Sequence, residues 1–173
     1  MSAFLYTAGY EGTVIDEFVH RLIRERIETV IDVRELPLSR KKGFSKNSFS
    51  EILAKVGISY VHMKLLGDPR EGRLAAREGR VRDFERIFLR HLKAGPSQEA
   101  ILQSIKIAKN SRSCLVCFER DHSKCHRHFV AEAMVSKSNL KVRHLSVSSL
   151  VPNRDQISIG TKNDSHAIRY RAI

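Results

Sequence analysis

The chain lacks any apolar run approaching the roughly 18 residues of a membrane-spanning helix, which excludes a helical membrane protein. Residues Met1 to Gly9 carry neither a positive leader nor a small-residue cleavage pattern and pass straight into an apolar segment, so a cytoplasmic location is expected. Cysteine is scarce. Cys114, Cys117 and Cys125 are an odd number in a chain large enough to fold without staples, which fits a reducing compartment and argues against disulfides. No internal repeat or low-complexity tract is present. Acidic residues are also few: 19 Asp and Glu against 31 Lys and Arg leave a net charge of +12. Such a field attracts phosphate-rich partners or anionic substrates, although the same excess occurs in proteins with neither.

What is present is enough for one core. In 173 residues, 42% hydrophobic and 29% charged side chains fit a single globular domain and argue against wholesale disorder. Strand-like runs alternate with helical patterns. Phe4 to Thr7 is short and apolar, and Thr13 with Asp16 reads as a weak capping box for a helix carrying Ile15, Phe18, Val19, Leu22 and Ile23 on one stripe. The β-branched run Thr29 to Val33 reads as a strand buried on both faces, hence parallel and central. Ser48 and Glu51 form a better capping box for a short helix that Gly57 would close in left-handed conformation, and Ile58 to His62 is a third strand.

Lys64 to Gly79 reads as a long irregular connection leading to a helix over Val81 to Lys93. Gly95-Pro96 breaks the chain and Ser97 can cap the next helix, after which Ser113 to Phe118 is a fourth strand, Cys125 to about Lys137 a helix, and Val142 to Val147 a fifth strand. The expected architecture is a single-domain, Rossmann-like open parallel sheet of about five strands over residues 1–150, followed by a polar tail, 151–173. Ligands of such sheets bind at the carboxyl ends of the strands.

Three groups of residues lie at those ends. The densest runs from Cys117 through Glu119 to Cys125, His126 and Arg127, from a strand end into the first turn of a helix. The unpaired N–H groups and partial positive charge of a helix start favour a thiolate there. One reading makes Cys125 a nucleophile or anion-site thiol, with Arg127 holding an oxyanion and Glu119 or His126 handling protons. A second has Cys117, Cys125 and a histidine bind zinc. Too few ligands stand against it, and Cys114 and Cys117, three apart on a strand, face opposite ways. In a third, both cysteines are packing residues. Neither a cofactor nor a metal is expected. The second group is Asp32, Arg34 and Ser39: Asp32 and Arg34 flank Val33 on one face and can pair, Arg34 can also grip an anion, and Asp32 joins Cys125, Glu119 and His126 as a candidate catalytic residue. The third is Thr7, Gly9 and Tyr10, where Gly9 would let a ligand approach the backbone.

Together, Thr7, Gly9 and Tyr10, then Asp32-Val33-Arg34 with Pro37 and Ser39, Tyr60 and His62 with Leu66-Gly67, and Cys117 and Glu119 before Cys125-His126-Arg127 resemble the domain of unknown function family 488. The resemblance spans about residues 4 to 147, and Cys-His-Arg is its most specific element. It implies a Rossmann-like fold and no particular reaction. The motif residues it carries over are Thr7, Gly9, Asp32, Arg34, Pro37, His62, Cys117, Glu119, Cys125, His126 and Arg127, whose types suit an anionic or nucleotide-like ligand. One position departs: Asp68 stands where the family usually has a second glycine.

The surplus positive charge has two concentrations. On the 81–93 helix, Arg82, Arg86, Arg90 and Lys93 lie opposite Val81, Phe84, Ile87, Phe88 and Leu92, a stripe that could track a phosphate backbone or simply be solvated. Arg40, Lys41, Lys42 and Lys46 surround Phe44 in a loop able to clamp phosphates or stack a base. His62, on the third strand, reads as a hydrogen-bonded core or rim histidine rather than a catalyst. Two functions follow: an enzyme acting on a phosphorylated, nucleotide-like or nucleic-acid substrate, or a non-catalytic nucleic-acid-binding module.

Overall fold

Runs of side chains that need burial on both faces become the strands. In the computed structural model, which describes residues 4–147, these are β1 (Phe4–Gly9), β2 (Thr29–Asp32), β3 (Ser59–His62), β4 (Ser113–Cys117) and β5 (Lys141–Leu145). They form one parallel sheet in the order β3-β2-β4-β1-β5. The central strands β2 and β4 are buried along their whole length, as their continuous apolarity requires, whereas β3 and β5 are edges. The expected five-stranded α/β sheet is the observed one; the tail expected over 151–173 lies outside the described residues.

Helices cover both faces. α1 (Ile15–Arg24) and α2 (Lys46–Lys55) bury Phe18, Leu22, Phe49 and Leu53 against Tyr6, Ala8, Val30, Cys114 and Val116. The other face takes α3 (Arg70–Arg77), α4 (Val81–Lys93), α5 (Gly95–Asn110) and α6 (His126–Ser136), whose Phe88, Ile101, Val130 and Met134 pack on Leu5, Ile31, Leu115 and Cys117. Cys114 and Cys117 do therefore face opposite sides of β4. Two short 3-10 turns, Lys64–Leu66 and His122–Lys124, complete the chain.

Several local expectations give way. Thr13 caps nothing: α1 starts after Val14, and the Thr13 hydroxyl donates to Glu17 instead. Ser48 lies inside α2, which begins two residues earlier, after Ser45. Ser97 lies in the first turn of α5 rather than before it, and its hydroxyl donates to the Leu65 carbonyl, tying α5 to the turn after β3. The segment 64–79 is not irregular: it holds a 3-10 turn and α3, a short, strongly charged helix whose small residues Gly72 and Ala75 pack inward. Gly57 does take the left-handed conformation (φ 76°) just past α2. Among the described residues no helix is long and apolar enough to cross a membrane.

Topology positions the site. β2 is followed by α2 on one face, and its neighbour β4 by α6 on the other, so the connections diverge and leave a crevice at the carboxyl edge.

Candidate functional site

A pocket of about 500 Å³ opens in that crevice. The segments after β1 to β4 contribute: Tyr10 after β1, Arg34, Leu36 and Leu38 to Lys41 after β2, Asp68, Arg73 and Arg77 after β3, and Phe118, Glu119 and, at the start of α6, His126 after β4. Arg73 pairs with Glu35, while Arg40, Lys41 and Arg77 have no carboxylate in ion-pair reach among the described residues. Phe118, 42% exposed, stands edge-on to Tyr10 at 5.4 Å and, with Leu36 and Leu38, gives one apolar wall.

One wall is braced by a buried ion pair. Asp32 accepts from the Arg34 backbone N–H (3.1 Å), its Nε (2.8 Å) and Nη2 (2.5 Å), and from the Tyr60 hydroxyl (2.5 Å). Arg34 Nη1 donates to the Tyr10 hydroxyl and the Phe44 carbonyl, both at 2.8 Å. Every polar atom of the pair is thus engaged, which is what lets two charges sit in the interior. Asp32 is wholly buried and orients Arg34; it does not line the pocket. The half-buried His62 ring is hydrogen-bonded, Nε2 at 2.8 Å from the Arg34 carbonyl, and does not line the pocket.

Behind Glu119 and His126 lies a pair of free thiols. Cys117, at the end of β4, and Cys125, the residue capping α6, bring their sulfurs to 2.7 Å. Glu119 Oε2 is 3.1 Å from each sulfur. Cys125 Sγ accepts the Arg127 backbone N–H at 3.4 Å, and His126 Nδ1 lies 3.7 Å from it, while His126 Nε2 donates to the Val33 carbonyl at 2.8 Å. Arg127 Nη1 donates to Cys117 Sγ (2.8 Å) and to the Glu119 carbonyl (3.1 Å).

The electrostatics follow from this packing. Burial pushes the Cys125 thiol up, but a hydrogen bond from Cys117 and the charge of His126 more than reverse it, bringing it down to about 6. Burial likewise disfavours a charged His126, yet the adjacent Cys125 thiolate raises it to about 9. Cys117, in the strand, is held well above the ordinary thiol range by burial and by its neighbour's charge. Around neutrality the group is a Cys125 thiolate and Glu119 carboxylate balanced by His126 and Arg127, with Cys117 protonated. Three donors, Cys117, Glu119 and Cys125, lie within 4.8 Å of one another. A metal among them would sit against the Arg127 guanidinium and beside His126, so this set is compensated by protein cations and does not suit one.

The structure gathers Tyr10, Arg34, Ser39, Lys41, Glu119 and His126 on the pocket, with Cys125 directly behind. Other candidates lie elsewhere. Arg127, 1% exposed, points into the interior rather than toward a ligand, and its Nε has no partner. Thr7 is buried, bonded to His144 Nδ1 at 2.8 Å. A Cβ on Gly9 would come within 1.8 Å of the Glu119 carbonyl, so its missing side chain admits protein backbone, not ligand. Phe44 is buried and stacked on Tyr10 at 4.2 Å, and cannot stack a base. Lys42 and the α4 residues Arg82, Arg86, Arg90 and Lys93 are exposed and outside the pocket.

Asp68, Arg73 and Arg77 line the pocket and were not among the candidates. Asp68 is 8% exposed with Oδ1 unpartnered, and burial raises its carboxyl to about 7. Its only sequence signal is the replacement of a glycine; for Arg73 and Arg77 it is their four-residue spacing, one helical turn. A family model, Domain of unknown function DUF488, matches residues 14–134. No curated protein and no solved structure matches the chain.

Proposed function

The chain belongs to the DUF488 family, which carries no assigned reaction, and from the pocket we propose an enzyme that holds a phosphorylated or nucleotide-like anion over an activated thiolate, Cys125. The observation that carries this reading is that Glu119 and His126 both touch the Cys125 sulfur and both line a cationic pocket. Arg40, Lys41 and Arg77 supply charge for the anion, and Phe118, Leu36 and Leu38 supply a surface for a base or other flat, apolar portion. Cys125 is the nucleophile, and the His126 imidazolium keeps it ionised. Asp68, a carboxyl poised near neutrality beside the same pocket, is the proton donor to a leaving group.

Selective modification tests it. Iodoacetamide should alkylate Cys125 ahead of Cys114 and Cys117, at a rate rising through pH 6 and level by neutrality, and a nucleoside monophosphate should slow it. Alkylation no faster than that of an ordinary thiol removes the nucleophile; no protection by any phosphate ester removes the ligand.

A second reading rests on the exposed row Arg82, Arg86, Arg90 and Lys93, of which only Arg86 has an acidic partner, Asp83, among the described residues. As a nucleic-acid surface it should bind DNA or RNA with an affinity that falls steeply with salt, and charge reversal at Arg86 and Arg90 should weaken binding. No binding at low salt ends this reading.

A further inference from the structure

Cys117 enters the chemistry above only through its hydrogen bond to Cys125, yet its sulfur lies 2.7 Å from that of Cys125. A disulfide needs about 2.05 Å, so bond formation requires sulfur movement well under about 1 Å. Cys114, on the opposite face of the sheet, has no such neighbour. Both sulfurs are buried, but they differ in place: Cys125 sits at the start of α6 directly behind the pocket residues Glu119 and His126, while Cys117 lies at the end of β4. They also share one carboxylate, Glu119, at equal distance from both.

We infer that Cys117 and Cys125 form a reactive dithiol that reduces a small anionic disulfide held in the pocket, Cys125 attacking and Cys117 resolving. This rests on the reading of Cys125 as an activated thiolate, and puts a disulfide with anionic ends, rather than a phosphate ester, in the pocket. The steps balance. The Cys125 thiolate attacks one sulfur of RS–SR, forming the Cys125–S–S–R bond, and the displaced RS⁻ takes a proton from Asp68 or solvent. Glu119 then receives the Cys117 proton as the Cys117 sulfur attacks the Cys125 sulfur. The second RS⁻ leaves and takes that proton. The substrate disulfide is reduced to two thiols, the protein is oxidised to a Cys117–Cys125 disulfide, and a low-molecular-weight thiol restores it. Arg40, Lys41 and Arg77 fit the carboxylates of such a substrate, and Arg127, donating to the Cys117 sulfur, stabilises the thiolate that resolves.

The test uses the full chain and glutathione disulfide as probe, with remaining thiols blocked in acid-quenched protein and products read by mass spectrometry. Apart from the blocking group on Cys114, intact protein should lose two hydrogen masses, and cleavage after Leu115 and Phe118, which separates all three cysteines, should leave the Cys117 peptide linked to that of Cys125. Cys117→Ser should stop at one glutathionyl group on Cys125. Wild-type protein that accumulates a stable Cys125–glutathione adduct, or that links Cys114 instead, overturns the inference. Cys125 that alkylates normally but never cross-links defeats the dithiol alone; Cys125 inert to both reagents defeats the nucleophile as well.

Discussion

Removing the Asp32 carboxylate leaves Arg34 charged and buried with only Tyr10 and the Phe44 carbonyl to face. Truncating one partner of a buried pair costs about 3–5 kcal/mol, so Asp32→Ala should lose stability of that order in urea denaturation. His126 acts on Cys125 through charge. Its replacement by Gln, which retains hydrogen bonding, should raise the pH at which Cys125 alkylates by roughly 1–2 units. A midpoint that stays near 6 would mean that the hydrogen bond from Cys117 and the helix start suffice. At Asp68, conversion to Asn keeps the shape and removes the proton. Turnover of an identified substrate should fall while Cys125 alkylation persists, which separates the proton donor from the nucleophile.

The element scale explains why these residues meet. β1 and β4 pair with Gly9 opposite Cys117, so the β4–α6 loop folds over the end of β1. A methyl group at residue 9 would meet the Glu119 carbonyl. Gly9→Ala should therefore cost about 1–3 kcal/mol of stability and displace Glu119 from the thiols; because the Glu119 charge opposes the thiolate, Cys125 alkylation should persist to lower pH. At the sheet's other edge, the β5 residue His144 stacks on His122 at 3.5 Å, and burial plus the charges of His122, Arg127 and His128 lower it to about 4. With its folded value depressed, the unfolded chain takes up the proton first, so stability should decline as pH falls from the ordinary histidine value of 6.5 toward 4. His144→Phe, which keeps a ring for His122, should flatten that part of the curve in denaturation measured against pH.

At the scale of the whole molecule, strand positions and the bounds of the 81–93 helix were legible because both follow from hydrophobic periodicity, a local property. Capping was not: Thr13 and Ser48 match the capping pattern, but a cap must stand outside helical conformation, and the chain turns into α1 and α2 at other residues. The pocket's strand-end residues were legible from the rule that parallel sheets bind ligands at one edge. Arg127 was not, because its burial depends on the thiols and the Glu119 carbonyl it meets. Nor was Asp68, whose environment exists only once the segment after β3 comes beside Glu119, Cys125 and His126. Part of the +12 charge lies at the pocket rim and part on an exposed helix face, so net charge alone does not choose between a ligand and a nucleic acid.

Everything proposed for the pocket depends on a thiolate at Cys125, and its ultraviolet absorbance, taken as the pH-dependent difference between wild-type protein and Cys125→Ser, reads it without requiring a reagent to enter. The account predicts a midpoint near pH 6. A midpoint at or above the ordinary thiol value of about 8.5 would contradict it.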